Sequence, residues 1–193
     1  KRPPKKASPI KQTHAQLLFS DLNSHWVKDT ALNLHQLGLL DSSSVFSPET
    51  PLTRAQFAHF LVTALDLRQS YSSKTLVDVA SQHPYYADIQ VMIKTGILPP
   101  KRGYYHPNRA LKRVEVITAI LRLNDFKGDS PNGRALPFKD IPANHWSRPI
   151  LAKALSLNLI RPSQYFYPNK PMSRAQFIAL LSKIPSIQFQ LMD

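Results

Sequence analysis

Apolar and polar positions alternate along the chain in a pattern that recurs three times. In the first stretch, Trp26, Ala31, Leu32 and Leu34 share one face at helical spacing and predict an amphipathic helix that Gly38 stops. A polar loop follows and closes on Phe46-Ser47-Pro48. A second helix then begins at Thr53-Arg54-Ala55-Gln56-Phe57. Thr53 and Gln56 form a capping box, in which the Thr hydroxyl accepts from the helix and the Gln side chain reaches back. Leu52 and Phe57 flank the cap as a hydrophobic staple. Ser173 and Gln176 repeat the box, and the pairs Met172/Phe177 and Leu111/Val116 repeat the staple. The middle copy has Lys112 at the cap position and keeps only half the box.

The markers keep their intervals. Phe19-x-Asp21, His25-Trp26, Gly38 and the aromatic–Pro pair of copy one return as Phe138-x-Asp140, His145-Trp146, Asn158 and Tyr167-Pro168. The middle copy reads Leu76-x-Asp78, Pro84-Tyr85-Tyr86, Gly96 and Tyr105-His106-Pro107. Pro precedes Arg by six residues every time (48 to 54, 107 to 113, 168 to 174). A period of this length calls for a stacked repeat architecture. The expectation is a mostly α chain of three helix-loop-helix repeats, at 19–67, 76–125 and 138–186, forming one composite domain over 19–193. Connectors near 66–75 and 126–136, rich in Ser, Gly, Asn and Pro, read as loops. Residues 1–18, rich in Pro and Lys, read first as a solvated linker and second as an electrostatic arm.

Charge then narrows the partner. The chain has 193 residues, with 25 Lys and Arg against 12 acids, a net +13. Five of the basic residues and no acid lie in the first 18, so the remainder, 20 against 12, still carries +8. That balance suits an anionic polymer or surface. No helical stripe of Lys and Arg supports a nucleic-acid binder. No apolar run reaches the roughly 18 residues of a membrane span. Beginning at Lys1 without an apolar leader core, the sequence reads as a mature or partial chain. With no Cys, thiolate metal sites and a Cys nucleophile are excluded. The seven His are scattered without metal-ligand spacing, no cofactor motif appears, and Gly, at 5, is too scarce for a phosphate loop. Glu49 and Glu115 are the only Glu, and nothing nominates a catalytic pair among the Asp, so no enzyme is expected.

Three residue types could carry binding. Arg54, Arg113 and Arg174 stand at the first position of a helix, against the dipole by about 0.3–1 kcal/mol. Open N–H groups at that end favour an anion, and a guanidinium beside them suits a carboxylate or phosphate. A structural pairing with Asp21, Asp78 or Asp140 is the competing and compatible reading. Trp26 and Trp146 could stack on a sugar, but the first expectation for so large an aromatic is a core anchor.

Taken together, Phe-x-Asp, His-Trp, Gly-Leu-Leu, Phe-x-Pro and Leu52-Thr-Arg-Ala-Gln56 resemble the S-layer homology motif, whose signature is Thr-Arg-Ala-Glu. Three copies would cover about residues 19–186. The resemblance implies a pseudo-threefold helical domain with grooves between neighbouring motifs. It implies non-covalent anchoring to a bacterial cell wall, hence an extracellular, cell-surface location. The implied ligand is an anionic, pyruvylated secondary wall polysaccharide or a modified peptidoglycan. It places Arg54, Arg113 and Arg174 in the grooves, with Asp21, Asp78, Asp140, Trp26, Trp146, Gly38 and Gly96 nearby. This chain departs from the pattern: Gln56 and Gln176 replace the signature Glu, and Asn158 replaces a Gly. The loops before the aromatic–Pro pair lack the usual Gly-rich turn. One or two working grooves are expected rather than three. The alternative is an assembly module that keeps the scaffold and binds another surface protein.

Overall fold

The computed structural model describes residues 18–67, 74–123 and 136–191. Most of the basic N-terminal segment and of the two connectors lies outside these residues. The described residues form three units, each with an Asp-bearing turn, a first helix, a loop and a second helix. In the first unit a 3-10 turn (Ser20–Leu22) leads into α1 (Lys28–Gln36) and α2 (Arg54–Ala64). The second holds α3 (Tyr86–Lys94) and α4 (Arg113–Leu123). The third holds α5 (Arg148–Ser156), α6 (Arg174–Leu181) and a short α7 (Pro185–Gln190). Among the described residues there are isolated β-bridges but no strand.

Local signals set the boundaries. Gly38 (φ 72°), Gly96 (φ 71°) and Asn158 (φ 55°) follow α1, α3 and α5 in the left-handed conformation that ends a helix. No atom lies within 4 Å of a Cβ placed on Gly38 or Gly96, so φ alone selects glycine there. Thr53 and Ser173 close both halves of their capping boxes. In the middle unit only the return half forms, from the Lys112 N–H to Glu115 Oε2 at 2.8 Å. Sequence reasoning missed α7, although Pro185 at its first turn was a legible start signal. It also placed Trp26 on the buried face of the first helix. Trp26 instead precedes α1, and Ala31 and Leu34 carry the burial.

Each second helix packs on the first helix of the next unit: α2 on α3, α4 on α5, and α6 back on α1. The units thus close into a ring. At its centre the residues before the caps form a triangle of backbone hydrogen bonds. Leu52 N–H donates to Met172 C=O at 2.8 Å, Met172 N–H to Leu111 C=O at 2.9 Å, and Leu111 N–H to Leu52 C=O at 2.9 Å. Bridges from Pro51 to Ser173, Thr53 to Ala110 and Lys112 to Pro171 extend it. The staple residues Leu52, Leu111 and Met172 are therefore both buried packing and the hub of the ring. An extended N-cap backbone makes this possible, because it leaves the residue before it with an N–H and a C=O to share.

One core cluster spans all three units, so the ring should unfold as a single cooperative body. Leu111→Ala leaves a cavity at the hub and is expected to cost about 2–5 kcal/mol. Chemical denaturation of the variant should show one transition at lower denaturant. A separate early transition for the middle unit would contradict the closed ring.

Candidate functional site

In each unit one buried aromatic residue is held from both sides. Phe46, Tyr105 and Phe166 each donate their N–H at 2.8 Å to the carboxylate of the same unit's Asp21, Asp78 or Asp140. The second carboxylate oxygen takes the next N–H, of Ser47, His106 or Tyr167, at 2.6–2.7 Å. Those next residues all sit at φ 57°, a strained turn that two charge-assisted bonds sustain. Both oxygens of each Asp are thereby engaged in holding the loop.

The carbonyl of the same aromatic residue accepts from the preceding unit's arginine. Arg54 Nε reaches Tyr105 O at 2.7 Å, Arg113 Nε reaches Phe166 O at 2.9 Å, and Arg174 Nε reaches Phe46 O at 2.9 Å. Each guanidinium also lies over the ring whose carbonyl it holds, 4.6, 5.0 and 4.7 Å from the centroid. A cation over a desolvated ring contributes up to about 2 kcal/mol, and a hydrogen bond from a charged donor about 1.5–3 kcal/mol. These outweigh the dipole penalty of about 0.3–1 kcal/mol at a helix start. Burial lowers the pKa of all three arginines, and the next unit's Asp opposes that shift in each. Among the described residues no repeat Arg forms an ion pair with a repeat Asp; the two meet through the residue they both hold.

The helix starts are not open to an anion, contrary to the expectation above. Arg54 N–H donates to Arg109 C=O and Ala55 N–H to Pro107 C=O, at 3.0 and 2.9 Å. The equivalent bonds of α4 go to Lys170 and Pro168, and those of α6 to Thr50 and Pro48. The neighbouring unit's loop has taken the place an anion would occupy. At these three helix starts it is the side chains that face a ligand.

The two tryptophans overturn the core-anchor expectation, since Trp26 is 62% and Trp146 59% exposed. Each leans on the preceding histidine, with ring centroids 5.5 and 5.7 Å apart. That histidine fixes the turn, its Nδ1 accepting the Val27 or Ser147 N–H at 3.3 Å. In the middle unit His83 Nδ1 accepts the Tyr85 N–H at 3.1 Å. His83 is thus the counterpart of His25, and Pro84, rather than an aromatic, takes the Trp position. The signal was a lone His before Pro84, which sequence reasoning read one residue out of register.

The junction of the second and third units holds a groove of about 310 Å³. Arg113, Arg161 and Lys183 line it, with Gln176, Ser163 and the exposed Trp26 from the first unit. Its floor includes Ile117, Leu159, Phe166 and Leu180. No carboxylate stands among its described lining residues. Arg113 gives Nη1 to Gln176 Oε1 at 3.2 Å. Lys183 donates to the Asn158 and Leu159 carbonyls, both at 3.2 Å. Burial lowers its pKa, and the like charge of Arg161 lowers it further.

The two equivalent junctions differ. Where the third unit meets the first, Asp41, His59 and Phe60 stand in the places of Arg161, Ala179 and Leu180, 120 residues on. His59 Nδ1 donates to Asp88 at 2.8 Å, Nε2 pairs with Asp41 at 3.2 Å, and the ring stacks on Tyr85 at 4.8 Å. There the two acids are taken up by His59; burial lowers the Arg174 pKa, and Tyr85 and Asp21 oppose that lowering. Where the first meets the second, Arg54 is only 8% exposed and gives Nη2 to Pro99 O at 3.3 Å. Burial opposes ionisation of Glu115 there, but its hydrogen bonds from Arg109 and the Lys112 N–H hold its pKa below the usual range.

Comparison with known proteins agrees with the recurrence. The S-layer homology domain family matches residues 18–58 and 137–178, in the first and third units. An amylopullulanase of Thermoanaerobacterium thermosulfurigenes is 25% identical over 172 residues, covering 84% of this chain and 9% of that protein. A cellulosome-anchoring protein of Acetivibrio thermocellus is 26% identical over 153 residues, 74% of this chain and 33% of that protein. The S-layer protein EA1 of Bacillus anthracis is 24% identical over 126 residues, 63% of this chain and 15% of that protein. The chain thus spans a third or less of the length of these relatives.

The His59 cluster makes stability depend on pH. The hydrogen bond to Asp88 raises the His59 pKa above the ordinary histidine value of 6.5, against the lowering effect of burial, and Asp41 adds to the rise. A raised folded pKa stabilises fully below the unfolded value, near 6.5, and that gain fades as pH rises through the folded value. The melting temperature of wild type relative to His59→Gln should therefore be highest near pH 6 and shrink toward pH 9. A difference that does not vary with pH would contradict the raised His59 pKa.

Proposed function

We propose that this chain is a non-catalytic, non-covalent anchoring module that holds an anionic cell-wall polymer at the bacterial surface. The carrying observation is the groove between the second and third units, where three cations meet with no lining carboxylate. Like charges set side by side repel, and the charge of Arg161 lowers the Lys183 pKa beyond the effect of its partial burial. An anion between them relieves that cost and gains charge-assisted bonds. Trp26 offers an exposed indole face at the edge of the same groove, suited to stacking on a sugar ring. The apolar floor fits the ring carbons of a glycan.

In this reading the middle unit is a third S-layer homology motif, worn at the cap and at the Trp position. It has kept the Asp78–Tyr105–Arg54 arrangement of the other two. The ligand class is a carboxylate-bearing secondary polysaccharide, such as one carrying pyruvate ketals, or a modified peptidoglycan. The cellulosome-anchoring and S-layer relatives support a surface role. The basic charge of the chain beyond residue 18 supports an acidic polymer.

Arg161 is exposed and takes no part in holding the ring, and Trp26 likewise stands outside the core. Changing Arg161→Ala together with Trp26→Ala should leave the melting temperature nearly unchanged. Co-sedimentation with wall sacculi should fall about tenfold or more. Wild type should drop to a similar level once acid has stripped the secondary polymer. Unchanged binding by the double variant would overturn the groove assignment, and tight binding to a surface protein instead of sacculi would favour the assembly reading.

A further inference from the structure

We infer that Tyr165 and Tyr167 form a stacking platform for uncharged sugar rings of the wall polymer, a second contact outside the cationic groove. The inference rests on the anchoring function proposed above. Tyr165 is 41% and Tyr167 56% exposed. Their rings stack on each other, with centroids 5.7 Å apart and planes 27° apart. Neither lines the groove; both flank Phe166, which lies in its floor. The pair is held firmly by backbone bonds. Tyr167 N–H donates to Asp140 at 2.6 Å, Ser163 Oγ donates to the Tyr165 C=O at 2.7 Å, and Phe166 between them is fixed by Asp140 and Arg113. Aromatic side chains on a rigid loop lose little freedom when a ligand covers them.

The first unit shows that the loop does not need these rings. Val45 and Ser47 take the two places there, and Ser43 Oγ donates to the Val45 C=O at 2.8 Å. Phe46 is held by Asp21 and Arg174 in the same way, and Ser47 keeps the same φ of 57°. A left-handed turn is harder for a bulky residue than for a serine, so folding alone does not select Tyr167. The groove also points to the occupant. Ser163 belongs to its lining, so a polymer chain leaving the groove at Ser163 passes the tyrosines. Two rings offer far less than the roughly 1,000 Å² that a stable protein partner buries, but they match one or two pyranose faces. A phenol gives such a ring an apolar face for its carbons and a hydroxyl for its own hydroxyls. In the second unit Tyr104 and His106 stack likewise, at 5.7 Å and 13°, but their loop borders the junction where Pro99 closes off Arg54. Tyr104 is therefore a matched control.

The test is co-sedimentation of the full chain with Gram-positive sacculi that have been freed of protein and retain their anionic secondary polymer. Wild type is compared with Tyr165→Ala/Tyr167→Ala, Tyr165→Phe/Tyr167→Phe and Tyr104→Ala, and a thermal melt checks that each variant is folded. The double alanine variant should bind about tenfold more weakly, on the scale of two lost aromatic contacts. The double phenylalanine variant keeps the ring faces and should stay within about twofold of wild type, and Tyr104→Ala should bind as wild type. Undiminished binding by the double alanine variant would overturn the platform and leave the anchoring function standing. So would a loss in the phenylalanine variant as large as in the alanine variant, or an equal loss in Tyr104→Ala. Failure of wild type to sediment with these sacculi would overturn the anchoring function and this inference together.

Discussion

The structure hangs on a double hold on one aromatic residue per unit. The N–H of Phe46, Tyr105 or Phe166 is fixed by an aspartate of its own unit, and its carbonyl by an arginine of the preceding unit. The first bond shapes the loop; the second joins two units. Since Arg174 returns to Phe46 across 128 residues of sequence, the series closes on itself. The triangle of Leu52, Leu111 and Met172 does the same with backbone alone. A unit taken from this ring would expose both an aromatic face and unpaired loop carbonyls, costs that closure removes.

A nearly symmetric frame then leaves the three junctions free to differ. The residues that hold the ring recur in each unit, whereas those bordering the junctions do not. Asp41 with His59, Pro99, and Arg161 with Lys183 give the three junctions unlike contents: a histidine bridged by two carboxylates, a closed guanidinium and an open pair of cations. The same arginine can thus be purely a brace in one place and both brace and groove wall in another. Arg113 spends Nε on the Phe166 carbonyl and still borders the open groove. In our reading, specificity lies in the loop and second-helix residues around it rather than in the shared signature.

Much of the fold was legible because its signals are local. Capping boxes, left-handed stops and staples depend on residues within a few positions of one another, and each stands where its spacing implied. The ring was not legible in the same way. Sequence shows that Leu52 and Phe57 flank a cap, but not that Leu52 exchanges backbone bonds with residues about sixty and 120 positions away. The arginine was read from dipole cost as an anion receptor, yet the neighbouring carbonyls that occupy the helix start are set by tertiary closure. Tryptophan was read from its size as core, whereas its turn, fixed by His25 or His145, directs it outward. The uneven charge of the three junctions was present in the sequence at Asp41, Arg161 and Lys183. It acquired meaning only once the ring set those residues around particular arginines.

We propose that one junction of the closed ring binds while its two equivalents serve structure. Heteronuclear NMR of the arginine Nε–H groups, titrated with soluble fragments of an anionic wall polymer, addresses it directly. All three Nε–H signals should be slow to exchange, being bonded to carbonyls. On titration Arg113 should shift, with Arg161 alongside it, while Arg54 and Arg174 stay in place. Equal shifts at Arg54, Arg113 and Arg174, or a response confined to Arg54 or Arg174, would rule out a single binding junction at Arg113.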